Sequence, residues 1–422
     1  MCDVLAQRVR TVARRPGWGA ALLAALLVAQ AAVLLMRPQE GLIDPIPVRA
    51  SSYFSAAELD RARDFRRPQL VLGLGALAVE GAVLAWLVIH PPRRLQGGFR
   101  RPILAAAVTG AALSVSLTVA ALPIGALSRE RARDVGLVTQ SWAGWAGDVG
   151  KNAAIGALLM GVAAALLVAL MRRFPRGWWM PGSALVAVIG AGFVYAGPVV
   201  LDPLFNTFEP LPRGQTRDDV LQLARQAGLE VGDVYVVDAS RRTTAANAYV
   251  TGLGHTKRVV LYDNLLKRFT RDETRLVVAH ELGHVHSRDV PRGLLYVLLV
   301  APAALFAAAQ LTRRLAPDGG AVDARGRAGP AIVPALWLSI VLVATPVTWI
   351  SNQLSRRVEA RADAYALHLT GAPEAFISFE QRITLRNVSD PDPPSVPQAL
   401  LGTHPTALQR IGMAEAYERR AR

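Results

Sequence analysis

Residues 280 to 284 read His-Glu-Leu-Gly-His. Histidines four apart on a helix project from one face, so His280 and His284 can reach a single metal ion. Glu281 lies about 100° around the helix from His280. It can address a water at that ion without being a ligand. A zinc ion held by three protein groups keeps an open position and brings the pKa of a water there to about 7. The chemistry predicted is metal-assisted hydrolysis. A helix with two surface histidines would carry the same pentapeptide, so the third ligand decides.

His286 sits too close to His284 to fill that role and points to another face. It is read as exposed or as a support behind the ligands. Residues 355–367 read Ser-Arg-Arg-Val-Glu-Ala-Arg-Ala-Asp-Ala-Tyr-Ala-Leu, on a helix expected after the last apolar stretch. Glu359 and Asp363 are four apart and share a face. Glu359 is the predicted third ligand. Asp363 would hold the second nitrogen of a ligand histidine, His280, and so fix its tautomer. The competing reading is a surface helix on which Arg356, Arg357 and Arg361 pair with Glu359.

These residues need elements to carry them. The chain has 422 residues, of which 52% are hydrophobic and only 19% charged, which excludes a disordered chain and an ordinary soluble one. The apolar residues fall in long blocks rich in Ala, Leu and Val. Crossing a bilayer takes ~20 such residues in a helix. Seven spans are predicted, at 18–36, 69–90, 103–127, 153–171, 182–201, 293–311 and 331–350. Arg8, Arg10, Arg14 and Arg15 precede the first, whose length and lack of a small-residue cleavage site mark a retained anchor. Trp18, Trp178, Trp179 and Trp349 lie near span ends, as in an interfacial belt. Two spans separate His284 from Glu359. An even number returns the chain to the same side, so the ligands can meet. One span or three would have kept them apart.

The fold class expected is mainly α: a polytopic membrane protein with seven transmembrane helices and a small α+β unit that carries the metal motif. Residues 1–201 form an N-terminal membrane region with five spans. Residues 202–292 form the α+β unit, 293–350 hold spans six and seven, and 351–422 form a charged C-terminal region with the third ligand. Within 202–292 a helix is expected over 217–228, capped by Thr216 with Asp219 three further on. Strands are expected at 234–237, 259–262 and 247–251. The motif helix should run from about Arg271 to Arg288.

The formal net charge is +15, from 47 basic and 32 acidic residues, and only Lys151, Lys257 and Lys267 are lysines. Many arginines sit in short linkers between apolar blocks, where they anchor spans, so no nucleic-acid partner is expected. The single cysteine, Cys2, excludes an intramolecular disulfide and a cysteine metal cage. Gly73 and Gly75 lie in an apolar span and do not form a nucleotide loop. No pair of broken mid-membrane helices points to a transporter.

The motifs resemble the CAAX prenyl protease 1 family, integral-membrane zinc endopeptidases of the gluzincin type. The resemblance is carried by Pro203-Leu204-Phe205-Asn206, Asn247-Ala248-Tyr249, 257–263 (Lys-Arg-Val-Val-Leu-Tyr-Asp), His280–His284, Ser355–Asp363 and Thr403-His404-Pro405 with Arg410. Phe54 to Arg67 is also similar to the family's N-terminal region. HtpX-type membrane proteases share the zinc motif but have fewer spans. The resemblance implies seven helices around a water-filled chamber that one zinc ion faces, with the site toward the cytosol. The arginines of the short linkers point the other way, to an inside N-terminus and an outside site. Glu80, a carboxylate inside span two, is consistent with a chamber. The resemblance also implies His404 or Arg410 as a second electrophile. Asn247 and Ala248 would line a strand edge that pairs with an extended peptide. The expected partners are a peptide or protein substrate, membrane-associated substrates included, and the lipid bilayer of the plasma membrane. Quality control of membrane proteins is the alternative to CAAX processing. A non-catalytic scaffold or transporter is a further alternative, opposed by the presence of every proposed catalytic residue.

Overall fold

The computed structural model describes residues 17–95, 99–252, 257–316, 322 and 326–421. Cys2 and the four N-terminal arginines lie outside the described residues. Among the described residues, seven helices are long and apolar enough to cross a membrane. They are α1 (Trp18–Met36), α2 (Ala56–Ile89), α3 (Pro102–Asp134), α4 (Trp142–Arg173), α5 (Trp179–Val200), α9 (Asp289–Leu315) and α10 (Val333–Thr370). Between α5 and α9 lie β1 (Phe208–Pro210), α6 (Gln215–Gln226), β2 (Asp233–Val237), β3 (Ala248–Thr251), β4 (Arg258–Tyr262), α7 (Asp263–Arg268) and α8 (Arg271–His286). After α10 come α11 (Pro373–Arg386), α12 (Ser395–Leu401) and α13 (Ala407–Ala421).

Most of the apolar helices outrun the spans expected from hydropathy, because hydropathy sees only their apolar part. The helix α2 begins at Ala56 rather than 69, where Ser55 and Glu58 cap each other's backbone amides. The largest such difference matters for function. Span seven and the helix expected to carry Glu359 are one continuous helix, α10, which runs through the boundary expected at 350/351. It stops at Gly371, whose φ of 61° supplies the left-handed cap that a side chain resists.

The helices are unequally packed. In α9 and α10, 44% of the apolar window is buried inside the protein, against 6% in α2 and α5. The helix α1 lies on this central pair through Ala21, Ala25 and Ala29, small residues that let backbones approach. Between α3 and α4 the same device is sharper: a Cβ on Gly110 would fall 2.6 Å from the Met160 carbonyl oxygen. Trp178 was expected in an interfacial belt. It is instead buried in the cluster with Leu336 and Met171, because α5 begins only after it and the ring turns inward.

The small sheet has the order β1-β2-β4-β3. The strands β2 and β4 are parallel, and β1 and β3 run antiparallel to them at the two edges. Val234, Val259 and Leu261 pack on Leu223 of α6 and on Val278 and Leu282 of α8. The strand β1 was not anticipated, since Phe208-Glu209-Pro210 is too short for an alternating pattern. The cap expected at Thr216 is also corrected. Gly214 is the N-cap, and α6 starts at Gln215. The Asp219 carboxylate is instead engaged by Arg271, whose Nε donates to it at 2.6 Å and joins α6 to α8. Arg242 donates from Nε to Asp148 Oδ2 at 2.8 Å and from Nη1 to Asn206 Oδ1 at 3.0 Å. These bonds anchor the segment before β3 to the start of α4.

Candidate active site

The motif helix α8 has a firm start. Thr270 accepts from the Glu273 amide while Glu273 Oε2 accepts from the Thr270 amide at 2.7 Å, a reciprocal cap that satisfies two otherwise unpaired donors. The other oxygen of Glu273 accepts from Ser378 Oγ of α11 at 2.7 Å. Gly283 sits where α10 crosses α8. A Cβ there would lie 3.2 Å from the Tyr365 ring and 3.3 Å from Ala362 Cα. The glycine therefore permits the approach that brings Glu359 and Asp363 to the histidines. At the far end Arg288 adopts φ 53°, a left-handed conformation that costs about 1 kcal/mol for a side-chain-bearing residue. That turn starts α9 at Asp289 and swings its carboxylate back to His284.

The three predicted ligands meet. One ligand atom from each of His280, His284 and Glu359 lies within 4.8 Å of the others. The two Nε2 atoms are 3.1 Å apart. Glu359 Oε2 is 3.3 Å from His280 Nε2, and Glu359 Oε1 is 3.7 Å from His284 Nε2. Arg361, expected as a possible partner of Glu359, turns to Asp289 instead. Glu359 Oε2 is buried, and no contact to it has hydrogen-bond geometry, so a lone pair stays unspent.

Each histidine is held from behind. His280 Nδ1 is 2.8 Å from Asp363 Oδ1. Arg410 Nε donates to Asp363 Oδ2 at 2.8 Å, and Arg410 Nη1 pairs with Glu380 Oε1 at 2.7 Å. His284 Nδ1 is 2.9 Å from Asp289 Oδ2, and the other oxygen of that carboxylate, Oδ1, meets Arg361. His404 places Nδ1 2.9 Å from Glu359 Oε2. Arg410 reaches the cluster through Asp363. Asn247, Glu281, His280, His404 and Arg410 line one cavity of about 160 Å³ that also receives Phe379. Ala248 turns its methyl into the core below the sheet, so its backbone alone faces the free edge of β3. His286 is exposed, as expected, and stacks at a 31° tilt on Tyr365.

The electrostatics suit a cation site. Burial alone would push the His280 imidazole down, but Asp363 and Glu359 outweigh it and raise it to about 10. A metal must displace that proton, which makes binding pH-dependent. Burial raises the Glu281 carboxyl. It also pushes Glu380 up to about 7, against the pull of Arg410. Sequence reasoning missed Asp289, Arg361 and Glu380. Glu380 had a signal: it is a carboxylate on the face of α11 that otherwise buries Phe376 and Phe379.

Seven apolar helices joined to a two-histidine, one-glutamate cluster define a membrane-embedded metallopeptidase. Residues 210–418 match the model of peptidase family M48, and residues 44–207 match the model of the CAAX prenyl protease N-terminal region with five membrane helices. The chain is 32% identical over 307 residues to an uncharacterized metalloprotease of Bacillus subtilis, YhfN, covering 72% of each. It is 30% identical over 268 residues to the probable CAAX prenyl protease 1 of Schizosaccharomyces pombe, covering 63% of this chain and 56% of that one. The crystal structure of S. mikatae Ste24p has the same fold, with a TM-score of 0.73 at 21% identity over 95% of this chain and 100% of that chain. The chain belongs to peptidase family M48. It is a multi-pass membrane metalloprotease resembling CAAX prenyl protease 1.

Proposed function

We propose that the protein is a zinc-dependent endopeptidase in which His280, His284 and Glu359 hold one zinc ion. The observation that carries this reading is the convergence of those three residues from two helices, with the second nitrogen of each histidine on an aspartate. Two imidazoles and one carboxylate are a donor set that zinc favours. When bound, zinc supplies a Lewis acid that polarises the scissile carbonyl and acidifies water.

The chain's own residues do the rest. Glu281 takes the proton of the attacking water and passes it to the leaving amine. Its burial raises its basicity toward the working pH, which suits that task. Asp363 and Asp289 keep the outer histidine nitrogens as donors and so fix the ligating tautomer. His404 stands beside the proposed metal ligands, with Nδ1 2.9 Å from Glu359 Oε2, and is the side chain placed to contact the oxyanion that develops on the substrate. Arg410, engaged by Asp363 and Glu380, acts by positioning rather than as that electrophile.

An extended peptide would add to the outer edge of β3, beside Asn247 and the Ala248 backbone. Support comes from the edge position of β3 and from Asn247 on the wall of the cavity shared with Glu281. A water-filled chamber is supported by Glu80, a carboxylate of α2 that is partly exposed and has no polar partner among the described residues. Protein substrates would reach the site from the membrane that the seven apolar helices cross.

The test is zinc content and cleavage of a quenched peptide library by wild type and Glu281→Gln in detergent. Both should carry about one zinc per chain, with cleavage about 10²–10⁴-fold slower in the variant. Equal cleavage, or wild type without zinc, would overturn the reading.

A further inference from the structure

Arg410 is held by two carboxylates, and only one of them touches a ligand histidine. The second, Glu380, has 2% of its surface exposed and sits on α11, away from the HExxH helix. Its oxygen lies 2.7 Å from Arg410 Nη1, an ionic contact rather than a linear hydrogen bond. On its other side the guanidinium meets Asp363 through Nε and Nη2, and its plane lies over the Phe376 ring at 5.5 Å from the centroid. Four helices thus contribute one residue each to a single line: Glu380 of α11, Arg410 of α13, Asp363 of α10 and His280 of α8.

We propose that Glu380 is a positioning residue for the metal centre: it fixes the Arg410 guanidinium, which fixes Asp363, which fixes His280. The proposal rests on the zinc reading above. Its physical basis is that Asp363 engages only Nε and Nη2, so the third arm of the buried guanidinium, Nη1, depends on Glu380. A buried carboxylate is costly unless paired, so Glu380 needs Arg410 as much as Arg410 needs Glu380. Without it, Nη1 would be a buried donor in search of a partner, and its movement would be felt at Asp363. Groups that orient metal ligands from behind tune affinity as well as geometry.

The experiment uses the full chain in detergent and compares wild type, Glu380→Gln and Glu380→Asp. Three quantities are read: zinc affinity by chelator competition, the visible spectrum of the cobalt(II)-substituted protein, and kcat and KM on a quenched peptide. Glu380→Gln should lower zinc affinity about fivefold, below the ~10–100-fold of a residue that touches the ligand itself. It should shift the cobalt spectrum and lower kcat with KM little changed. Glu380→Asp keeps the charge on a shorter side chain and should show the same changes at about half the size. On an Asp363→Asn background, Glu380→Gln should add nothing further.

Unchanged affinity and spectrum in folded Glu380→Gln would overturn the proposal, even with a lower melting temperature, and leave Glu380 a packing strut. So would an undiminished effect on the Asp363→Asn background. If Glu380→Gln does not fold, Glu380→Asp decides by the same readouts, since a shorter carboxylate must still move them measurably. Wild type without zinc would bring down the zinc reading itself, whereas normal wild type with an indifferent variant brings down this inference alone.

Discussion

The two histidines of the site are four residues apart on one helix, yet they are supported in different ways. Behind His280, Asp363 has none of its side chain exposed, and its arginine is closed off by a further carboxylate, Glu380. Behind His284, Asp289 is 10% exposed, and its arginine, Arg361, has a buried Nε without a hydrogen-bond partner among the described residues. The first support sits deep among α8, α10, α11 and α13. The second opens on an apolar cavity of about 560 Å³ between α9 and α10, lined by Asp289, Arg361, Tyr296, Val300 and Val347. The difference teaches that the two histidines are not equally enclosed. His280 is backed by a closed chain of charges, whereas the aspartate and arginine behind His284 border an apolar cavity.

The largest expected contrast is in stability. Arg410→Met strands two buried carboxylates and should cost about 3–5 kcal/mol, as for other broken buried pairs. Arg361→Met strands one carboxylate that water can reach, and should cost about 1 kcal/mol. Denaturant titration in detergent checks both, and equal costs would erase the distinction. Next comes metal affinity. Asp363→Asn should weaken zinc by about 100-fold and Asp289→Asn by about tenfold, the two ends of the range for such partners. A larger loss at Asp289 would reverse the ranking of the two supports.

How much of this could be read in the sequence follows the same division. The cluster of His280, His284 and Glu359 with Asp363 was legible because helical spacing converts directly into a shared face, and an even count of spans returned Glu359 to His280. Asp289 and Arg361 were not legible, because their meeting depends on the left-handed turn at Arg288, which no residue type there announces. Glu380 required knowing that α11 buries its face against α13. Span seven and the Glu359 helix looked separate because hydropathy falls where the membrane ends, although the hydrogen-bonded helix does not. That the Ala248 methyl enters the core while β3 stays at the sheet edge was not legible, because only the register of β3 against β4 fixes it.

Two smaller effects sharpen the contrast. Zinc must displace the proton that Asp363 and Glu359 hold on His280, whose pKa is raised to about 10. Affinity should therefore fall about tenfold for each unit of pH between 8 and 6, and Asp363→Asn should flatten that slope by lowering the imidazole. A slope unchanged in Asp363→Asn would detach the proton from His280. Smallest of all, Gly283→Ala should cost about 1 kcal/mol by forcing Tyr365 and Ala362 to yield a few tenths of an ångström. It moves α10 as a whole, so it should weaken both supports together, which paired affinity measurements with the aspartate variants would show.

The most direct measurement is an experimental structure of the purified chain with anomalous scattering recorded on both sides of the zinc absorption edge. One peak is expected per chain, bonded to Nε2 of His280, Nε2 of His284 and the carboxylate of Glu359, with Asp363 and Asp289 on the outer nitrogens. No peak after purification without chelators, or a peak that leaves Glu359 unbound, would contradict the proposed metal centre.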